Sequence, residues 1–161
     1  MKRRLRLALV ASGAALVLGA VNAGATVTVT FTQPERFVDM PFSSWDKEQV
    51  IKDLQTHFLK LGNQLPKGQD LKVEVQDIDL AGRIEPGRRY GHDIRILRGG
   101  ADWPMIQLHY SVESEGKVMR SGDARVSDMN YLNHFNRYSA SEPLRYEKKM
   151  LDDWFKTVLK Q

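Results

Sequence analysis

The sequence predicts an α+β fold: a mainly antiparallel sheet of four to five strands packed with an N-terminal and a C-terminal helix. Three observations carry this. Runs with a period of two in apolar residues occur at Val27–Phe31, Leu71–Val75 and Ile106–Val112. Two longer stretches, after Ser43 and after Leu144, place apolar residues at spacings of three and four. The order is one strand, a helix, several strands and a helix, which is segregated more than alternating and favours an α+β arrangement over a parallel α/β one.

Each element follows from its residues. Val27, Val29 and Phe31 alternate with Thr28, Thr30 and Thr32, a β-branched strand ended by Pro34. From Ser43 or Ser44 the period changes, and Val50, Ile51, Leu54, Phe58, Leu61 and Leu65 form one face of an amphipathic helix. Asp46 and Glu48 sit in its first turn, where the helix dipole favours anions, and Gly62-Asn63 with Pro66 supplies the stop. Leu71, Val73 and Val75 make a second strand, and Ile94 with Ile96 marks a third. After Val75 the apolar phase flips to Ile78 and Leu80, which predicts a bulge or strand end near Gln76. Ile106, Leu108, Tyr110 and Val112 share one side of a fourth strand, and Ser114-Glu115-Gly116 predicts a hairpin into the run from Lys117 towards Val126. Leu144, Leu151, Trp154, Phe155 and Val158 form a C-terminal helical seam.

Residues 1–25 read as a cleavable export signal. Lys2, Arg3, Arg4 and Arg6 form a basic start, Leu7 to Val21 an uncharged apolar run, and Ala23-Gly24-Ala25 a small-x-small site with cleavage expected after Ala25. Residues 26–161 are then expected to form a single soluble domain in the periplasm. The chain contains no cysteine, which excludes disulfides, thiolate metal sites, a cysteine nucleophile and a lipidated N-terminal cysteine. Taking the four basic residues of the signal from the 24 in the chain leaves 20, equal to the 20 acidic residues. A nucleic-acid binder needs excess positive charge facing phosphates, so a domain with no net charge argues against that class. No stable membrane insertion is expected once the signal is removed.

Several segments carry a resemblance: Pro34-Glu35-Arg36-Phe37 with Asp39, Asp77-Ile78-Asp79-Leu80-Ala81-Gly82, Trp103-Pro104, Asp128-Met129-Asn130-Tyr131-Leu132, and Leu144-Arg145-Tyr146-Glu147-Lys148 running into Leu151-Asp152-Asp153-Trp154-Phe155. In combination the chain resembles a family of small exported bacterial proteins, domain of unknown function three-zero-one-six. The resemblance implies a Gram-negative periplasmic setting and one domain. It implies no activity and carries over no catalytic or binding residues.

The candidate sites therefore rest on side-chain chemistry. Asp77 and Asp79, one strand period apart, could hold a hard cation with backbone oxygens, or could serve as turn hydrogen-bond acceptors and ion-pair partners. Arg83, Arg88, Arg89, Arg95 and Arg98 face only Glu85 and Asp93 within their stretch. Their planar guanidinium forks suit phosphate and carboxylate, so an anionic envelope component is a chemically sensible ligand; the alternative is a solvated loop whose arginines pair with Asp77, Asp79 and Glu85. Trp103, before a proline, could add a cation–π surface beside them. His57, His92, His109 and His134 show no zinc-ligand spacing, and His92-Asp93 is a poor base and orienter because adjacent residues rarely face each other. There is no glycine-flanked nucleophile serine, phosphate-cradling loop or dinucleotide fingerprint, so no catalytic residue and no cofactor are expected. The favoured expectation is a non-enzymatic binding or accessory module of the cell envelope, acting on an envelope ligand or periplasmic protein. The alternative is a small hydrolase or metal-dependent enzyme using Asp77 and Asp79 with His92.

Overall fold

A computed structural model describes residues 25–85 and 94–160. The chain opens with strand β1 (Val27–Phe31), passes a short 3-10 turn at Pro34–Arg36, and enters helix α1 (Ser44–Gly62). Ser43 caps α1, its hydroxyl accepting from the Asp46 amide at 3.4 Å, and Leu54, Phe58 and Leu61 are buried along one face. Strand β2 (Gln69–Asp79) follows, then two three-residue strands, β3 (Arg83–Glu85) and β4 (Ile94–Ile96). The long hairpin of β5 (Met105–Ser114) and β6 (Lys117–Ser127) and helix α2 (Arg145–Lys160) complete the order.

The main sheet has four strands in the order β1-β2-β5-β6, with β2-β5 and β5-β6 antiparallel. Two features correct the sequence expectation. The first helix is not N-terminal: α1 is the crossover between β1 and β2, which pair in parallel, Val27 opposite Leu71 and Phe31 opposite Val75. Ile94–Ile96 does not join the sheet; it pairs with Arg83–Glu85 in a separate two-stranded ribbon. A run of three residues shows that a strand exists but carries too little pattern to show which edge it joins.

The expected bulge is present, because the β2-β5 register shifts between Val75 and Asp77. Leu71, Val73 and Val75 are buried on one phase and Ile78 with Leu80 on the other. The β5-β6 hairpin turns on Glu115 and Gly116, at φ of 53° and 75°, the left-handed pair that a two-residue turn between twisted strands demands. Apolar side chains of α1, α2 and the inner face of the sheet form one core that includes Leu54, Phe58, Ile106, Leu108, Leu151 and Phe155. Trp154 joins this packing edge-on, its ring centroid 6.4 Å from that of Phe58 and 5.7 Å from that of Tyr110 on β5. No helix among the described residues is long and apolar enough to cross a membrane.

Candidate functional site

The bulge on β2 sets the geometry of one end of the sheet. Asp77 Oδ1 accepts from the amides of Val38 and Ile78, both at 2.9 Å, which ties the segment after the 3-10 turn to β2. The Asp39 amide then donates to the Ile78 carbonyl at 3.2 Å, and Asp39 lies beside Asp79 in an isolated parallel bridge. Gly82 turns the chain at φ 80°, where a Cβ would overlap the Ile96 carbonyl oxygen, and its amide donates to the Asp102 carbonyl at 2.8 Å. The Asp102 carboxylate accepts from the Arg98 amide at 2.9 Å and from the Tyr131 hydroxyl at 3.1 Å. Burial, with that hydrogen bond second, pushes the Tyr131 hydroxyl up to about 12.

These contacts enclose a cleft of about 490 Å³ lined by Asp39, Asp79, Gly82, Arg83, Arg98, Gly99, Ala101 and Asp102. Its charges are unequally spoken for. Arg95 Nη1 donates to Asp39 Oδ2 at 2.6 Å and reaches the carbonyls of Leu80, Ala81 and Gly82 at 3.2 to 3.5 Å, so it is committed to holding the turn. Arg83 and Arg98 share a single carboxylate, Glu85, at 3.4 and 3.1 Å, and both guanidinium side chains are more than half exposed. Asp79 makes no hydrogen bond or ion pair among the described residues. Burial pushes its carboxyl above the usual range, neighbouring Asp39 and Asp77 add to the shift, and Arg95 opposes it.

Of the residues singled out from sequence, Asp79 and Arg83 line the cleft, Arg95 braces its wall, and Asp77 spends one carboxylate oxygen on backbone amides. Arg88, Arg89 and His92 lie outside the described residues. Trp103 is half-buried, and the cation–π contacts among the described residues are Arg137 over Tyr138 and Arg145 over Tyr146, not on Trp103. No group of three or more His, Asp or Glu among the described residues is arranged to hold a metal ion.

Sequence reasoning missed buried polar side chains at two places in the fold. Glu147, only 2% exposed, accepts from the Ala81 amide at 2.8 Å and so fastens α2 to the floor of the cleft. His57 Nε2 lies 3.1 Å from Asp152 Oδ1, with both side chains buried, in a close ionic contact without hydrogen-bond alignment. The other Asp152 oxygen receives the Tyr138 hydroxyl and Arg137, each at 2.8 Å. A signal for His57 existed, since it follows Leu54 by three residues and so falls on the buried face of α1.

The segments that carry the sequence resemblance meet here. Asp39 and Asp79 adjoin, Ala81 binds Glu147, the Asp128 amide donates to the Pro104 carbonyl at 3.3 Å, and Tyr131 packs edge-on against Tyr146 at 4.9 Å. The fold and the cleft define a small α+β module whose polar site lies at the end of its sheet. The chain belongs to the family described as Protein of unknown function (DUF3016), which matches residues 25–157. No curated protein sequence matches it.

Proposed function

We propose that this protein is a non-enzymatic binding or accessory module of the cell envelope, released into the periplasm as a single domain after cleavage following Ala25, and that its cleft takes an anionic envelope component. The observation that carries this reading is the pair Arg83 and Arg98, two guanidinium groups more than half exposed on one cleft, whose ion-pair partner among the described residues is the single carboxylate of Glu85. Guanidinium forks bind phosphate and carboxylate bidentately.

Thermal unfolding of the purified protein with glycerol 3-phosphate or galacturonic acid tests the site. A ligand that binds only the folded state at a hundredfold excess over its Kd stabilises by about 2.7 kcal/mol. Stabilisation that disappears in Arg83→Ala/Arg98→Ala supports the reading, and stabilisation that persists in this variant refutes it. Sequencing the N-terminus of the exported protein tests the location: Thr26 is expected, and an intact Met1 in the cytoplasm is the opposing result.

The raised carboxyl of Asp79 favours one second reading, a small hydrolase or metal-dependent enzyme using Asp77 and Asp79 with His92. Hydrolysis of a phosphate ester by the wild type, abolished in Asp79→Asn, would replace the binding reading with this one.

A further inference from the structure

A second concave surface lies on the other side of Arg95 from the cleft. It is a groove of about 600 Å³ beside the start of α1, with Trp45, Val50, Ile84 and Leu144 on its apolar walls and Asp46 and Asp53 among its lining residues. Trp45 is 67% exposed, and its neighbours in the chain Phe42 and Val38 are 74% and 72% exposed. Three large apolar side chains in one eight-residue segment make a concentration of exposed apolar surface that a folded domain rarely leaves open without a partner. The basic group in the groove, Arg95, is already paired with Asp39 at 2.6 Å. Asp46 and Asp53 make no ion pair among the described residues, so the charge that these residues present beside the apolar walls is negative.

We propose that this groove docks a segment of a partner protein in which an aromatic or aliphatic side chain is followed closely by lysine or arginine. The apolar side chain would lie between Trp45, Val50, Ile84 and Leu144, and the cation would meet Asp46 or Asp53. Aromatic anchors supply much of the energy of such contacts, and rim charges supply orientation and partner choice. The groove differs from the anion site in chemistry and in ligand class.

The test uses the purified protein and three synthetic peptides of one length: alternating Leu and Lys, alternating Leu and Glu, and alternating Leu and Ser. The indole N–H resonance of Trp45, assigned by its loss in Trp45→Phe, reports occupancy, and fluorescence anisotropy of labelled peptide gives Kd. The expected result is that the Leu-Lys peptide shifts the Trp45 signal, binds more weakly as salt rises, and loses about tenfold in affinity for Asp46→Asn/Asp53→Asn. Because those positions are not buried, the variant keeps its fold and the comparison stays informative. Equal binding of all three peptides, or binding that leaves the Trp45 signal unmoved, overturns the proposal. So does a Trp45 shift that depends on protein concentration alone, which would assign the groove to a second copy of the chain.

Discussion

The carboxylate of Glu147 accepts a hydrogen bond from the backbone amide of Ala81 at 2.8 Å, joining residues 66 positions apart in the chain. This single contact couples the first turns of α2 to the turn that forms the floor of the cleft, where Arg95 holds the carbonyls of Leu80, Ala81 and Gly82 from the other side. The turn is thus held through its amide by an acid and through its carbonyls by a base.

Replacing Glu147 separates its hydrogen bond from its charge. Burial pushes the Glu147 carboxyl up, with the amide hydrogen bonds opposing. A folded value above the unfolded one means that this group's contribution is fully present below about pH 4.3, the unfolded value, and is lost as pH rises through the folded value. Glu147→Gln keeps an acceptor for Ala81 and removes that loss, so the variant gains on the wild type between pH 4 and pH 8. Glu147→Ala leaves a buried amide without a partner and costs about 1–3 kcal/mol before any cavity is counted. Urea unfolding of the three proteins across that pH range checks both statements.

Asp152 carries the opposite sign. Burial would raise its carboxyl, but the close contact of His57, the hydrogen bond from Tyr138 and the charge of Arg137 hold it below the usual range. Its contribution is therefore present above about pH 3.9 and is lost as pH falls through the folded value. Asp152→Asn is expected to unfold at lower urea than the wild type at pH 7, with the difference shrinking below pH 4. His57→Ala removes the nearest polar neighbour of Asp152 Oδ1 and empties buried space, and is expected to unfold at lower urea than the wild type at neutral pH. Equal midpoints for wild type and His57→Ala at pH 7 would show that the contact adds nothing.

At Gly82 both the backbone conformation and the surrounding backbone oppose a side chain. Its φ of 80° disfavours any L residue, and a Cβ there would meet the backbone oxygen of Ile96, which cannot move without breaking the β3-β4 ribbon. Gly82→Ala is expected to lose more than about 1 kcal/mol. Gly100→Ala is the control, because Gly100 has a similar φ of 84° with open space around it. Calorimetric midpoints of the two variants separate strain from overlap: the Gly82 variant melts below the Gly100 variant.

The parts of this architecture that the sequence made legible are those with a local cause. The phase flip from Val75 to Ile78 announced the bulge, the period of Leu54, Phe58 and Leu61 announced α1, and Glu115-Gly116 announced the hairpin. What stayed hidden depends on residues far apart. The parallel pairing of β1 with β2 follows from how α1 crosses over, which no strand pattern encodes. Arg95 read as one of five similar arginines, and only the fold gives it Asp39 and three carbonyls while leaving Arg83 and Arg98 at the rim. Asp152 entered the sequence analysis only as part of a resemblance motif, and the fold buries it against His57 of α1 and Tyr138 from the segment between β6 and α2.

Asp77 and Asp79 looked equivalent in sequence and have opposite roles in the structure, which a pair of substitutions can expose. Asp77→Ala removes the acceptor for Val38 and Ile78, and lost acceptors of this kind cost about 1–3 kcal/mol, so its melting temperature falls with or without ligand. Asp79 has no hydrogen-bond or ion-pair partner among the described residues to lose, and its carboxyl lies above the usual range because of burial and then Asp39 and Asp77. Its ionisation works against the fold as pH rises through the folded value. Asp79→Asn should therefore melt at or above the wild type at pH 7 while changing the response to whatever occupies the cleft. A destabilised Asp79→Asn would mean that Asp79 is a structural acceptor like its neighbour.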